Sequence, residues 1–219
     1  MSIPILVLGQ SGTGKSTSLR NLDPKDVLLI KVIEKPLPFR SKEWKKLTNE
    51  GGSIYVSDKA ETIMQVMHKC KRPIIIIDDF QYIMANEFMR RSSERGFDKF
   101  TEIGKNTWDI LTEASKLSDD KRVYILSHTE EDQQGKTKIK TIGKMLDEKI
   151  TLEGMVTVCL QTTIINGQYR FMTENNGNTT VKSPMGMFES EHIDNDLSAV
   201  DKAICEFYEI NNQQQEAAQ

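Results

Sequence analysis

The stretch Ile3-Pro-Ile-Leu-Val-Leu-Gly-Gln-Ser-Gly-Thr-Gly-Lys-Ser-Thr17 decides how the rest of this chain is read. Its apolar run, Ile3 to Leu8, has the length of a buried strand. The run breaks at Gly9 into a glycine-spaced turn, and Ser18, Leu19 and Arg20 then suit a helix. Strand, loop and helix with the spacing Gly9-x-x-x-x-Gly14-Lys15-Ser16 match the phosphate-binding P-loop. Gly12 and Gly14 open backbone conformations closed to other residues, so successive N–H groups turn inward and form a concave anion nest. Phosphate then lies at a helix N-terminus, where unpaired donors and the positive end of the dipole favour it. On this reading Gly9, Gln10, Ser11, Gly12, Thr13, Gly14, Lys15, Ser16 and Thr17 hold ATP. Lys15 reaches the β- and γ-phosphates as a point charge, and Ser16 places its hydroxyl on Mg²⁺. A glycine-rich surface turn is the plainer account, and the flanking strand and helix weigh against it.

The 219 residues suffice for one sizeable α/β core with peripheral additions and are short for two. We expect a single domain over residues 1–210 and a disordered polar tail over 211–219. A net charge of −3 excludes whole-molecule electrostatic binding of nucleic acid and leaves only local patches for it. No stretch approaches the apolar length of a membrane span, and the N-terminus reads straight into a core strand, so a cytoplasmic protein is expected. Cys70, Cys159 and Cys205, odd in number and far apart, suit reduced buried thiols. His68, His128 and His192 are scattered, and no metal-ligand spacing joins them to the cysteines.

Val27 to Ile33 predicts a second central strand, with Glu34 at its C-terminal end, the edge where open α/β sheets collect their ligands. Residues 35–46 mix prolines with basic side chains and read as irregular, then weakly helical. Gly51-Gly52 is a turn and Ser53 to Val56 a short strand. Ser57-Asp58 offers an N-cap to a helix that carries Ala60, Ile63, Met64 and Met67 on one face and stops before Pro73. Ile74 to Ile77 is the purest buried-strand signal in the chain, and Asp78 completes a Walker B pattern. Its logic is geometric: a buried parallel strand delivers the carboxylate rigidly beside the P-loop, where it holds Mg²⁺ directly or through water.

A helix over Phe80 to Met89, an aperiodic segment at 90–100, a longer helix over Thr101 to Leu117 and a strand over Arg122 to Ser127 follow. Residues 130–140 read as a flexible loop or hairpin and 142–152 as a helix. Val156 to Ile165 and Gln168 to Thr173 form a hairpin through Asn166-Gly167. Asn175 to Asn178 is a turn, Val181 to Gly186 is extended, and a last helix over Leu197 to Ile210 carries Leu197, Val200, Ile204 and Phe207 at helical spacing. The pattern predicts an α/β P-loop NTPase with a mostly parallel central sheet, flanking helices and a C-terminal β-hairpin.

In its order of parts the chain resembles the RecA-like ATPase core. Lys35-Pro-Leu-Pro-Phe-Arg40, Gly143-Lys-Met-Leu-Asp147, Thr173-Glu-Asn-Asn-Gly177 and Lys182-Ser-Pro-Met-Gly-Met-Phe188 look like the phage-encoded ATP-binding proteins of the minimal RecA-like type, which are associated with single-strand annealing and homologous recombination. The resemblance implies a Mg²⁺-dependent ATPase in the host cytoplasm that assembles as a ring or filament. It implies an acid that orients the attacking water, for which Asp79 and Glu34 both qualify. It implies a γ-phosphate sensor at Ser127 or His128, and a cation for the neighbouring subunit's site, with Lys182 ahead of Arg170. Single-stranded DNA would meet Arg90, Arg91, Arg95 and Lys99 beside Phe97 and Phe100, and Lys136, Lys138 and Lys140, although Glu94, Asp98, Glu130, Glu131 and Asp132 dilute both patches. Two other functions fit the same motifs: a ring ATPase or loader acting on a protein partner, and a P-loop nucleotide kinase, which would need an acceptor pocket and an arginine-bearing lid.

Overall fold

The apolar run at the N-terminus is buried on both faces, because alternate side chains of a strand point to opposite sides. In the computed structural model, which describes residues 1–143 and 145–210, Ile5 and Val7 enter one core while Leu6 and Leu8 enter the other. The four isoleucines at 74–77 split the same way, Ile74 and Ile76 to one side and Ile75 and Ile77 to the other. Each such side chain, fully buried, contributes about 1.5–3 kcal/mol. The polar tail expected over 211–219 lies outside the described residues.

In chain order the strands are β1 (Ile3–Leu8), β2 (Val27–Lys31), β3 (Ile54–Val56), β4 (Ile74–Asp78), β5 (Arg122–Ser127), β6 (Thr129–Glu131), β7 (Thr137–Ile139), β8 (Val158–Ile165), β9 (Gln168–Met172) and β10 (His192–Asp194). The α-helices are α1 (Ala60–Lys69), α2 (Gln81–Arg90), α3 (Asp98–Ser115) and α4 (Leu197–Phe207). Eight strands share one sheet in the order β10-β9-β8-β1-β5-β4-β2-β3. From β8 to β3 all neighbours are parallel, and β9 and β10 extend the β8 side antiparallel. Helices α1, α2 and α3 bury Ile63, Met67, Ile83, Met84, Ile103 and Ile110 against one face. The other face is covered by Leu19, by Leu197, Val200 and Ile204 of α4, and by Leu37, Phe39 and Trp44. The architecture is therefore α/β, with a mostly parallel central sheet between helices.

Several boundaries differ from the sequence reading for identifiable reasons. The helix after the glycine loop is a 3₁₀ turn, Ser16–Asn21. There the Ser18 hydroxyl donates to the Lys15 carbonyl and the Ser18 N–H is shared between Gly14 and Lys15, so the local serine competes with α-helical pairing. Residues 35–46 contain no helix; the segment stays extended and irregular while it lays Leu37, Phe39 and Trp44 on the sheet. Residues 98–100, read as part of an aperiodic segment, form the first turn of α3. The helix expected over 142–152 is a π-helical turn, Met145–Lys149, followed by a 3₁₀ turn, Leu152–Met155. The last helix stops at Phe207, and Glu209 takes a left-handed conformation with φ 53°. Residues 130–140 do form a hairpin, β6 with β7, and Asn166 and Gly167 turn β8 into β9 with φ 51° and 77°.

Gly52 is required where the 42–53 segment returns to the sheet. Its φ is +99°, and a Cβ there would stand 2.0 Å from the Lys46 carbonyl oxygen. Gly52→Ala is therefore expected to cost about 1–3 kcal/mol. The cost should register as a lower urea midpoint with an unchanged m-value, and an unshifted midpoint would contradict the close approach.

Candidate active site

The parallel register brings the C-terminal ends of four strands to one edge. Leu8 lies level with Ser127, and Asp78 lies level with Lys31. The glycine loop leaves β1 at this edge, with positive φ at Gly12 (79°) and Gly14 (97°). Gly9 is held against β8: a Cβ on it would stand 1.9 Å from the Thr162 hydroxyl oxygen. Thr162 is hydrogen-bonded at 2.6 Å to the Thr13 hydroxyl and donates at 3.2 Å to the Leu8 carbonyl. Tyr169 of β9 and Asn195 pack over Gly14.

Lys15 is buried in this loop, and its ammonium donates to the carbonyls of Gly9 at 2.6 Å and Gln10 at 2.8 Å. Burial lowers its pKa to about 8, while the charges of Asp78 and Asp79 oppose the shift. The next residue meets the end of β4: the Ser16 hydroxyl lies 3.0 Å from both carboxylate oxygens of Asp78. Asp78 is 1% exposed, and burial followed by the Asp79 charge raises its pKa to about 6. The two residues assigned to Mg²⁺ from the sequence are thus in contact.

Asp79 follows with φ 65°, a left-handed conformation that aspartate tolerates better than most residues. Its backbone is fixed on the C-terminal side, since the Phe80 N–H donates to the Leu126 carbonyl at 2.9 Å and the Tyr82 N–H to the Asp79 carbonyl at 2.9 Å. The Asp79 carboxylate is buried between the Lys35 ammonium at 2.6 Å and the His128 ring at 3.8 Å. Burial pushes its pKa up, but the neighbouring His128 ring and Lys35 ammonium prevail and hold it below the usual carboxylate value. Ser127, fully buried, donates at 3.4 Å to the Gln81 side-chain oxygen, which also accepts the His128 N–H at 3.1 Å. Asp79, Ser127 and His128 are therefore gathered beside Ser16 and Asp78.

Glu34 is not. Its side chain is 61% exposed and paired with Lys46 at 2.5 Å, because the chain turns away at Val32, where the N–H makes a last bond to Asp78. Lys182 bridges to Cys159, which lies level with Leu6, so within its own chain it is away from the glycine loop. Arg170 is paired on the sheet edge with Asp194 at 2.5 Å. Of the residues expected to meet DNA, Arg91 is paired with Glu87, Glu94 and Glu102, and Arg90 with Asp58. Lys99 is buried, donating to the Arg91 and Glu94 carbonyls and lying over the Phe88 and Phe100 rings. Arg95, Lys136 and Lys140 are exposed and Lys138 is half-buried.

Lys35, Gln81 and Thr162 belong to the site and were not singled out from the sequence. Lys35 carried a signal, since it directly follows Glu34, the acid read from the sequence as the tip of the second strand. Gln81 and Thr162 carried none, because each acts through a partner in a distant strand. No protein-family model and no curated protein matches this chain. Among the described residues no helix is long and apolar enough to cross a membrane.

Proposed function

We propose that the chain is a Mg²⁺-dependent ATPase of the RecA-like P-loop kind. The observation that carries this reading is the contact between Ser16, on a glycine loop that buries Lys15, and Asp78, at the end of a buried parallel strand. The hydroxyl and carboxylate are hard oxygen donors with no nitrogen or sulfur among them, which suits Mg²⁺, an ion that keeps several waters and takes few protein ligands. When bound, the ion neutralises charge on the phosphate oxygens.

The chain's own residues supply the rest. The loop amides and the Lys15 ammonium bind the phosphates and stabilise negative charge that grows during transfer. Asp79 orients the attacking water by accepting its hydrogen bond at a carboxylate oxygen. Lys35 and His128 hold that carboxylate in place and ionised, and Gln81 locks the backbone that carries His128. Between the two acids read from the sequence, this site favours Asp79, which is 3% exposed and adjacent to Asp78. Single-stranded DNA as effector and a ring or filament as the acting form are proposed on the resemblance.

Phosphate release from ATP with no acceptor added, abolished by chelating Mg²⁺, tests the reading against a nucleotide kinase, which would release none. Stimulation of that release by single-stranded DNA separates it from a loader acting on a protein. Asp79→Asn is expected to lower turnover about 10²–10⁴-fold. Glu34→Gln should stay within roughly threefold of the parent, given its exposure and distance from the cluster. The reverse result would transfer the water-orienting role to Glu34.

A further inference from the structure

Between the end of the P-loop turn and the 42–53 segment lies an open groove of about 730 Å³, lined by Arg20, Lys25, Lys42, Lys45 and Arg72 with Asp23 and Glu43 as its acids. Five cations against two acids give it a charge of +3, in a chain whose net charge is −3. None of the five makes an ion pair among the described residues, which contrasts with Arg90 and Arg91, neutralised in place by Asp58, Glu87, Glu94 and Glu102. Arg72 and Arg20 are anchored instead on backbone carbonyls: Arg72 donates to Val27 at 2.6 Å and to Gly52, and Arg20 to Asn195 at 2.5 Å. That anchoring fixes two guanidinium groups in the groove without cancelling their charge. Lys25, Lys42 and Lys45 are exposed along it, and Ser53, also in the lining, buries a hydroxyl that has no partner among the described residues.

We propose that this groove binds the phosphodiester backbone of a nucleic-acid strand without reading its bases. Phosphate contacts come from lysine, arginine and serine hydroxyl groups, in interfaces that are polar and strongly positive. A protein partner would need apolar or aromatic anchors, and Leu22 and Pro24 are the only apolar side chains of the lining, Leu22 being buried in the core. A compact phosphorylated metabolite would call for enclosed, pre-set donors, whereas three of these cations are exposed lysines on flexible stems. The groove lies apart from the Ser16–Asp78 contact and relocates the proposed DNA effector away from the 90–100 segment, where Arg90 and Arg91 are spent on internal pairs. It rests on nucleic acid being a ligand and not on ATP hydrolysis.

The test is the anisotropy of a labelled oligothymidine strand titrated with the full chain over a range of salt, for the parent and for the triple variant Lys25→Glu, Lys42→Glu, Lys45→Glu. The expected result is an affinity loss on the order of 10- to 100-fold, with the log–log salt slope reduced by about 2, since each single-strand phosphate contact contributes about 0.7. A mixed-sequence strand should bind within roughly threefold of oligothymidine, because the phosphate contacts carry no sequence information. Arg95→Glu, Lys136→Glu, Lys140→Glu should leave affinity within roughly threefold of the parent, the loss being confined to groove phosphate contacts. ATP turnover without DNA should be unchanged in the groove variant, so failure here is distinct from failure of the ATPase reading. Parent-like affinity and salt slope in the groove variant would overturn the proposal. So would a parent chain that ignores the strand but binds polyglutamate, or one that binds only inorganic phosphate.

Discussion

Lys15→Ala is expected to lower ATP turnover on the order of a hundredfold or more, judged from the removal of single charge-stabilising groups in other enzymes. Lys15 is 6% exposed and its ammonium is held inside the glycine loop by two carbonyls. In that low-dielectric setting one positive charge counts for more than it would in water. Lys15→Arg should not rescue activity, because a planar fork does not fit where a compact ammonium bonds to Gly9 and Gln10. Alanine leaves those two carbonyls without their donor but also removes a desolvated charge, so the fold should persist, which far-ultraviolet circular dichroism would register. A folded Lys15→Ala chain that hydrolyses ATP at the parental rate would show that the triphosphate does not lie over this loop.

Asp201→Ala is expected to destabilise the fold by about 3–5 kcal/mol. Arg122, at the opposite end of β5 from Ser127, is 1% exposed and makes a two-pronged ion pair with Asp201 of α4, Nε to Oδ1 at 2.9 Å and Nη2 to Oδ2 at 2.8 Å. The Tyr124 hydroxyl donates to the same carboxylate at 2.6 Å. Removing the acid strands a guanidinium and a phenol inside α4's contact with the sheet, and that uncompensated burial is the source of the cost. A domain of ordinary stability holds only about 5–15 kcal/mol, so the loss should be plain in urea unfolding. Replacing both partners together, Arg122→Met with Asp201→Leu, should recover most of it, because two charges are then no longer buried. If the single variant unfolds at the parental midpoint, α4 does not depend on this pair.

The fold was legible wherever a segment buries itself alone. Ile3–Leu8 and Ile74–Ile77 announce central strands because only a sheet covered on both faces accepts apolar side chains at every position. Asn166-Gly167 announces its hairpin because both residues tolerate positive φ. What failed were short elements whose form depends on neighbours: the 3₁₀ turn after the glycine loop, which a local serine tightens, the non-helical 35–46 segment that serves as a cover for the sheet, and the π-helical turn at Met145–Lys149. β10 was missed because three residues at a sheet edge carry too short a pattern to read.

By itself the sequence determined the strand-loop-helix at residues 3–17, the acid at the end of the isoleucine strand and the α/β class, since each follows from local spacing and from alternation along one segment. Only the tertiary structure decided that Ser16 meets Asp78 across 62 positions of chain, that Asp79 lies between Lys35 and His128 while Glu34 faces solvent, and that Arg90 and Arg91 are internally paired while Arg20 and Arg72 of the groove are not. The physical reason is that strand order and register determine which chain ends share an edge, and charge pairing between such ends depends on a few ångströms that no spacing along the chain encodes.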